Sequence, residues 1–405
     1  MDFNSTMARL REVGQEQLLR FYDELDSEAA DRLLDAIDKI DFDMIGNRML
    51  PENGEEIEPI EAITMDKIAL HKEEYTRIGL DAIRDGRVAA VLLAGGQGTR
   101  LGIDGPKGAF DIGITRRLSI FQCLINNLMD VTSEAGCNIP LLIMTSGKNY
   151  FQTKDCFEQH GFFGYDRDYV EFFVQEMAPS TDFEGRILLE EKDRISLSPN
   201  GNGGWFKSLN RAGLTAKLKK RGVQWFNVFA VDNVLQRIAD PAFIGATIKS
   251  GHPIGAKVVS KAAPDEKVGV MCYRNGRPSI IEYYELTPEM IERRNEDGSL
   301  AYNWGVILNY LLNLEALEAI EKMNLPFHMV EKKIPHIDEN GNHVMPEEPN
   351  GYKYETLILD MISMMDGCLV YEVDRSREFA PIKNAVGKDS PESARKLLAG
   401  CGVEL

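Results

Sequence analysis

Apolar and polar positions follow two different rhythms along this chain. Up to about residue 85, Leu, Phe and Ile recur at three- and four-residue spacing with charges between them, as in RLREVGQEQLLRFYDEL and EAADRLLDAIDKI. That period predicts amphipathic helices. Pro51-Glu-Asn-Gly54 interrupts the pattern, and MDKIALHKEEYTRIGLDAIRDG predicts one more helix. The rhythm then changes abruptly at Val88-Ala-Ala-Val-Leu-Leu93, which is apolar on both faces. Such a run predicts a strand of a parallel sheet covered on both sides. Leu141–Met144, Val170–Phe173, Val223–Val231 and Lys257–Ser260 are further strand candidates, separated by helical stretches. The repetition predicts an α/β fold with a doubly wound sheet. VGVMCYRNGRPSIIEYYEL predicts a hairpin turning at Asn275-Gly276, whose antiparallel strands make the sheet a mixed one. The last stretch, SPESARKLLAGCGVEL, predicts one amphipathic helix and a short tail. No internal repeat or low-complexity linker divides the chain. The expected organisation is an N-terminal helical flank over 1–85, a main domain over 86–360 and a short C-terminal segment over 361–405.

Composition narrows what such a fold can bind. With 405 residues, 43% hydrophobic and 27% charged, the chain can bury a large core. A net charge of −18 opposes capture of a nucleic-acid backbone, so polymeric DNA or RNA is not an expected partner. No run approaches the ~18 apolar residues of a membrane span, and the polar, charged start lacks the apolar stretch of a signal peptide. No membrane partner and a cytoplasmic location are therefore expected. The six cysteines (Cys123, Cys137, Cys156, Cys272, Cys368 and Cys401) are scattered, without a Cys-x-x-Cys pair or histidines at zinc-ligand spacing, and are expected to be reduced thiols.

The chemistry concentrates after the first strand, in Ala94-Gly-Gly-Gln-Gly-Thr-Arg-Leu-Gly102. Gly95, Gly96 and Gly98 let the backbone curl so that N–H groups point inward at a phosphate or a base. No window fits a P-loop, because the lysine arrives only at Lys107, after Pro106. The dinucleotide fingerprint fails too, since Leu101 stands where its third glycine belongs. A tight strand-to-helix turn is the plain alternative for the glycines alone. Arg100 and Lys107 add two cations to the flexible backbone and make it a polyphosphate cradle.

The segment LAGGQGTRLGIDGPKG, Leu93 to Gly108, closely resembles the signature of the UDP-sugar pyrophosphorylases, in particular those of eukaryotic UDP-N-acetylglucosamine pyrophosphorylase type. Gln175-Glu-Met-Ala-Pro179, Pro199-Asn-Gly-Asn-Gly-Gly204, Ala230-Val-Asp-Asn233, Ile281-Glu-Tyr283, the Asn303 region, Pro349-Asn-Gly-Tyr-Lys353 and Pro381-Ile-Lys-Asn384 resemble further family segments, in the family's order. The resemblance implies a Rossmann-like nucleotidyltransferase domain and a uridylyltransferase that joins UTP to a sugar 1-phosphate, releases pyrophosphate and uses Mg2+. It says nothing of oligomeric state.

In that reaction a sugar phosphate oxygen attacks the α-phosphorus of UTP in line, so the protein must position two anions and neutralise charge. Chemistry and resemblance together give Arg100 a fork onto the leaving pyrophosphate and Lys107 a point charge near the α-phosphate. Asp232 ends an apolar strand and is a candidate Mg2+ and phosphate-side residue, with a helix cap as the plain alternative. Gly95, Gly96, Gln175 and Gly201 are expected to face the pyrimidine, with the amide of Asn202 nearby, and Leu93 and Ala94 are further expected substrate-binding residues; a surface turn is the alternative for Gly201–Gly204. The resemblance implies that Lys383 approaches the phosphates from the far side of the cleft. Lys353 is a weaker candidate of the same kind, and a solvated surface lysine is the alternative for both. Glu282 can accept hydrogen bonds from sugar hydroxyls or face water from a strand.

The sugar end departs from the pattern. N-acetylglucosamine enzymes of the family carry Asn-x-Gly-Asn where this chain has Asn303-Trp-Gly-Val306. Val306 offers no hydrogen bond, so that contact is lost or supplied by Asn303 or Asn309. A UDP-glucose or broad UDP-sugar pyrophosphorylase is therefore an alternative. A sensor that binds a UDP-sugar without turnover is an alternative of another class, as is an NAD-dependent oxidoreductase, which calls for the missing glycine.

Overall fold

The computed structural model of the protein describes residues 2–42, 45, 55–323 and 325–405. The chain divides into two compact units, each assembled from separated stretches. The smaller comprises Met1–Glu52, Glu176–Gly204 and Leu325–Ile358, the larger Asn53–Gln175, Trp205–Asn324 and Leu359–Leu405. The interruption read at Pro51–Gly54 lies outside the described residues.

The larger unit is built on a ten-stranded mixed sheet. Its strands, in chain order, are β1 (Ile57–Pro59), β2 (Val88–Leu93), β3 (Leu141–Thr145), β4 (Val170–Val174), β5 (Trp225–Ala230), β6 (Ile254–Ser260), β7 (Val270–Arg274), β8 (Arg277–Ile281), β9 (Trp304–Asn313) and β10 (Cys368–Glu372). They lie in the order β1-β7-β9-β5-β2-β3-β4, with β8 beside β7, β6 also beside β9, and β10 beside β6. The block β5-β2-β3-β4 is parallel throughout. All six residues of β2 and all five of β3 are buried, which accounts for runs that are apolar on both faces. Each large aliphatic side chain sealed this way contributes ~1.5–3 kcal/mol. The hairpin falls as expected, with Arg274 paired to Arg277 across Asn275 and Gly276, both at positive φ.

Two features depart from the sequence reading. The expected helical flank contains the short strand β1, which pairs with β7, and its last helix, Met65–Arg84, belongs to the larger unit. The ten-residue β9, not among the expected strands, runs antiparallel between β5 and β6. β10 then pairs in parallel with β6. The C-terminal helix is Pro391–Gly400, started by a capping box between Ser390 and Ser393.

In the smaller unit the first helices, Phe3–Val13 and Ser27–Asp38, close over a core of Leu10, Leu18, Leu33, Ile37, Ile187 and Ile195. Gln15 joins them to the short strands: its amide donates to the Gly185 carbonyl at 2.9 Å, and its oxygen accepts from the Ile187 N–H at 2.8 Å. A three-stranded sheet pairs Gly351–Glu355 with His328–Lys332 and Thr181–Asp182.

Candidate active site

The glycine loop leaves β2 at the carboxyl ends of three adjacent parallel strands, where open α/β sheets place ligands. Leu93 and Ala94 are buried and anchor it: the Ala94 N–H donates to Met144 and the Val231 N–H to Leu93. The loop then doubles back, with the Gly98 N–H on the Gly105 carbonyl at 2.8 Å and the Lys107 N–H on the Gly96 carbonyl at 3.1 Å. That return brings Lys107 beneath Gly96. Gln175, just past β4 and nearly sealed, closes one side; a Cβ at Gly95 would stand 2.9 Å from its Nε2, so a larger residue there would have to displace the Gln175 amide.

A residue outside every motif holds this curl. Asn149, 0% exposed, donates its amide to the Ala94 carbonyl at 2.9 Å and the Gly96 carbonyl at 3.3 Å. Its oxygen accepts from the Ser146 N–H and hydroxyl. With those carbonyls turned inward, the N–H groups of Gly95 and Gly96 meet no acceptor among the described residues. Unpaired amides beside a buried brace suit an anion or the acceptor edge of a base.

Charge collects next to the loop. Burial pushes the Lys107 ammonium below the ordinary lysine value; Lys383 and Arg100 push it the same way, and Asp232 opposes them. Three cations and a carboxylate thus lie within electrostatic reach of one another, although they come from three separated stretches of chain. Arg100 and Lys383 are exposed, Lys107 and Asp232 half-buried. Such a concentration of positive charge is unfavourable without an anion and suits a polyphosphate.

Asp232 lies in a turn after β5. The helix cap nearby is Asp240, which accepts from the Ala242 N–H at the start of Pro241–Ser250. Two buried amides fix the turn. Gln236 donates to the Ala230 carbonyl at 2.7 Å and the Asn233 carbonyl at 2.8 Å. Asn233 donates to the Glu378 carbonyl at 2.7 Å and accepts from the Ala380 N–H at 2.9 Å. The Ile382 N–H completes this short antiparallel ladder by donating to the Asp232 carbonyl at 2.9 Å. The ladder is what sets Lys383 beside Asp232. Among the described residues no group of three or more His, Cys, Asp or Glu side chains can hold a metal. A single carboxylate still fits Mg2+, which takes one or two protein carboxylates and completes its shell with phosphate oxygens and water.

At the other end of the sheet, Glu282 lies one residue past β8, where its N–H donates to Glu285 at 2.8 Å. A Cβ on Gly269 would stand 3.4 Å from Glu282 Oε1 and 3.5 Å from Val306 Cγ2, so these two side chains border the same spot. Asn303 is engaged in the scaffold: its amide donates to Ser260 Oγ at 3.2 Å and its oxygen accepts from the Lys261 N–H. Asn309, 0% exposed, spends its side chain on Asn227 at 2.8 Å and Gln236 at 3.2 Å. It braces strands and offers nothing to a sugar, contrary to one of the sequence-based expectations.

Gly201, Asn202 and Lys353 belong to the smaller unit. Gly201 has φ +85°, and a Cβ there would strike the Thr356 carbonyl at 2.3 Å, so the loop requires glycine. The Asn202 side-chain oxygen accepts from the Ile358 N–H at 2.9 Å, which ties its loop to 356–358. Lys353 stands on Gly351–Glu355 opposite Val330.

Motif reading missed Asn149, Asn233's bracing role and Gln236. The signal that could find Asn149 is positional: Thr145-Ser-Gly-Lys-Asn149 follows β3 as the glycine loop follows β2.

Comparison with known proteins agrees with this geometry. Residues 41–388 match the family described as UTP–glucose-1-phosphate uridylyltransferase. The chain is 36% identical to human UDP-N-acetylhexosamine pyrophosphorylase-like protein 1, an alignment covering 96% of this chain and 83% of the relative. It is 35% identical to the UDP-N-acetylglucosamine pyrophosphorylase of Saccharomyces cerevisiae, over 95% of this chain and 87% of that one. Among solved structures, the uridine diphosphate N-acetylglucosamine pyrophosphorylase of Trypanosoma brucei, in complex with an inhibitor, superposes with a TM-score of 0.84 at 29% identity, covering 98% of this chain and 84% of that one.

Proposed function

This chain belongs to the UTP–glucose-1-phosphate uridylyltransferase family and is a uridylyltransferase, and we propose that it joins UTP to N-acetylglucosamine 1-phosphate or a closely related hexose 1-phosphate. A phosphate oxygen of the sugar 1-phosphate forms a bond to the α-phosphorus, the bond to the bridging oxygen of the β-phosphate breaks, and pyrophosphate departs with that electron pair. Both reactants are anions, so positioning and charge neutralisation supply most of the acceleration.

The observation that carries this reading is the convergence of Arg100, Lys107, Lys383 and Asp232 beside a loop whose Gly95 and Gly96 amides meet no acceptor among the described residues. In our assignment the loop amides and Gln175 hold the uracil end, Lys107 and Lys383 bear on the α-phosphate, and Arg100 draws off pyrophosphate. Bound triphosphate restores the charge of Lys107 that burial opposes. Asp232 would hold Mg2+ against the phosphates, where the ion would supply further neutralisation of charge. Within the larger unit we assign Glu282 to the sugar phosphate. A reducing cytoplasm is part of the same proposal, supported by six free thiols. No described helix is long and apolar enough to cross a membrane.

Val306, with no polar group to offer, favours glucose 1-phosphate as a second candidate for the sugar. The test is incubation with UTP, Mg2+ and a panel of sugar 1-phosphates while pyrophosphate release is followed. Fastest turnover of N-acetylglucosamine 1-phosphate is expected; preference for glucose 1-phosphate would transfer the assignment to it. Silence across the panel, with UDP-sugars still bound, would replace the enzyme by a sensor.

A further inference from the structure

A buried cluster of charges in the larger unit lies outside the residues assigned to the reaction. Lys257, in the middle of β6, has a side chain that is 0% exposed. Its three ammonium protons have three acceptors: Asp240 Oδ2 at 3.0 Å, Glu378 Oε2 at 2.6 Å and the Arg237 carbonyl at 3.1 Å. Glu378 Oε2 also accepts from the Arg237 N–H at 3.2 Å, and Arg237 Nε stands 3.5 Å from Asp240 Oδ1. Burial opposes the charge on Lys257, but the two carboxylates outweigh it and raise its affinity for a proton. Burial also raises Glu378, which Lys257 only partly offsets.

A buried ion cluster is a poor way to gain stability, because desolvating each ion costs several kcal/mol and well-packed apolar side chains would serve as well. What the cluster adds is direction. Its acceptors come from the two segments that form the Asp232–Lys383 ladder. Arg237 and Asp240 close the 232–240 loop, and Glu378 opens the run to Lys383. The Glu378 carbonyl is itself the acceptor for Asn233, and the Val234 N–H donates to the Ala380 carbonyl. Apolar contacts would let these segments slide, whereas bonds from one fixed ammonium set their register.

We propose that Lys257, Asp240 and Glu378 are positioning residues for uridylyl transfer, locking the ladder that holds Lys383 against Asp232 and Lys107. The proposal rests on the assignment of Lys383 and Asp232 to the reaction. It is tested with the full chain by Glu378→Gln alone and by the apolar-neutral set Lys257→Met with Asp240→Asn and Glu378→Gln, each with and without Lys383→Ala. The triple variant is expected to lower kcat by about tenfold or more while the Kd for UTP stays within about threefold, because the loop that grips the nucleotide is elsewhere. In that background Lys383→Ala should reduce kcat by less than about a further tenfold, against ~100-fold in the native protein. Amide hydrogen exchange at Val234 and Ile382 should accelerate in step. A folded triple variant with native kcat, or one in which Lys383→Ala keeps its full effect, overturns the proposal. If the triple variant does not fold, Glu378→Gln decides: native kcat and native exchange at those two amides overturn it equally. Absence of pyrophosphate release from the native protein would instead sink the assigned reaction.

Discussion

The glycine-loop end of the sheet and the β9 end use the same residue type in opposite ways. At the loop, buried Asn149 takes up backbone carbonyls and leaves N–H groups open beside Lys107. At β9, Asn303 and Asn309 are themselves taken up, one by Ser260 and Lys261, the other by Asn227 and Gln236. A buried asparagine near a site thus braces either the loop that leaves amides open or the strands behind it, depending on which backbone and side-chain groups it takes up.

This contrast can be broken or sharpened by experiment. The largest effect is expected from Lys107→Ala and Lys383→Ala, each lowering kcat by at least ~100-fold, the scale of charge-stabilising groups. Near-native turnover in both would falsify their assigned roles. Next, Asn149→Ala and Asn309→Ala should each destabilise the fold by about 1–3 kcal/mol, since both leave buried partners unpaired. Only Asn149→Ala should also weaken UTP binding, by about tenfold, as loop carbonyls swing free. Calorimetric titration with UTP separates the two; equal affinities in both variants contradict the distinction between loop brace and strand brace. Val306→Asn should move the kcat/KM ratio of N-acetylglucosamine 1-phosphate to glucose 1-phosphate by about tenfold, and an unchanged ratio removes Val306 from sugar choice.

The smallest effect concerns pH. Lys107 acts when charged, and its affinity for the proton is lowered, so kcat/KM should be full at lower pH and decline as pH rises through a value below the ordinary 10.5. Lys107→Arg should move that decline upward. A profile whose alkaline limb is the same in both proteins excludes Lys107 as its source.

Much of this was legible where the chain's local chemistry has one solution. Val88–Leu93 cannot be solvated on either face, and Asn275-Gly276 between alternating apolar residues admits little but a hairpin turn. β9 was hidden because WGVILNYLLN is apolar without a period, so a buried helix and a buried strand look alike. Arg100, Lys107, Asp232 and Lys383 stand in motifs that resemble the family's, which made them legible without the fold. Lys257 and Gln236 carry no motif, since each has a partner far along the chain, Glu378 and Asn309 respectively, that only folding brings near.

The pairing of Ala380 with Asn233 spans 147 positions. A ribosome that has released the first three hundred residues has exposed both the glycine loop and the turn at Asp232, yet Lys383 has still to emerge. Domains fold as units during synthesis, and such distant closure comes last. Closure of the ladder, and with it the proposed site, therefore waits until translation of its second half is finished.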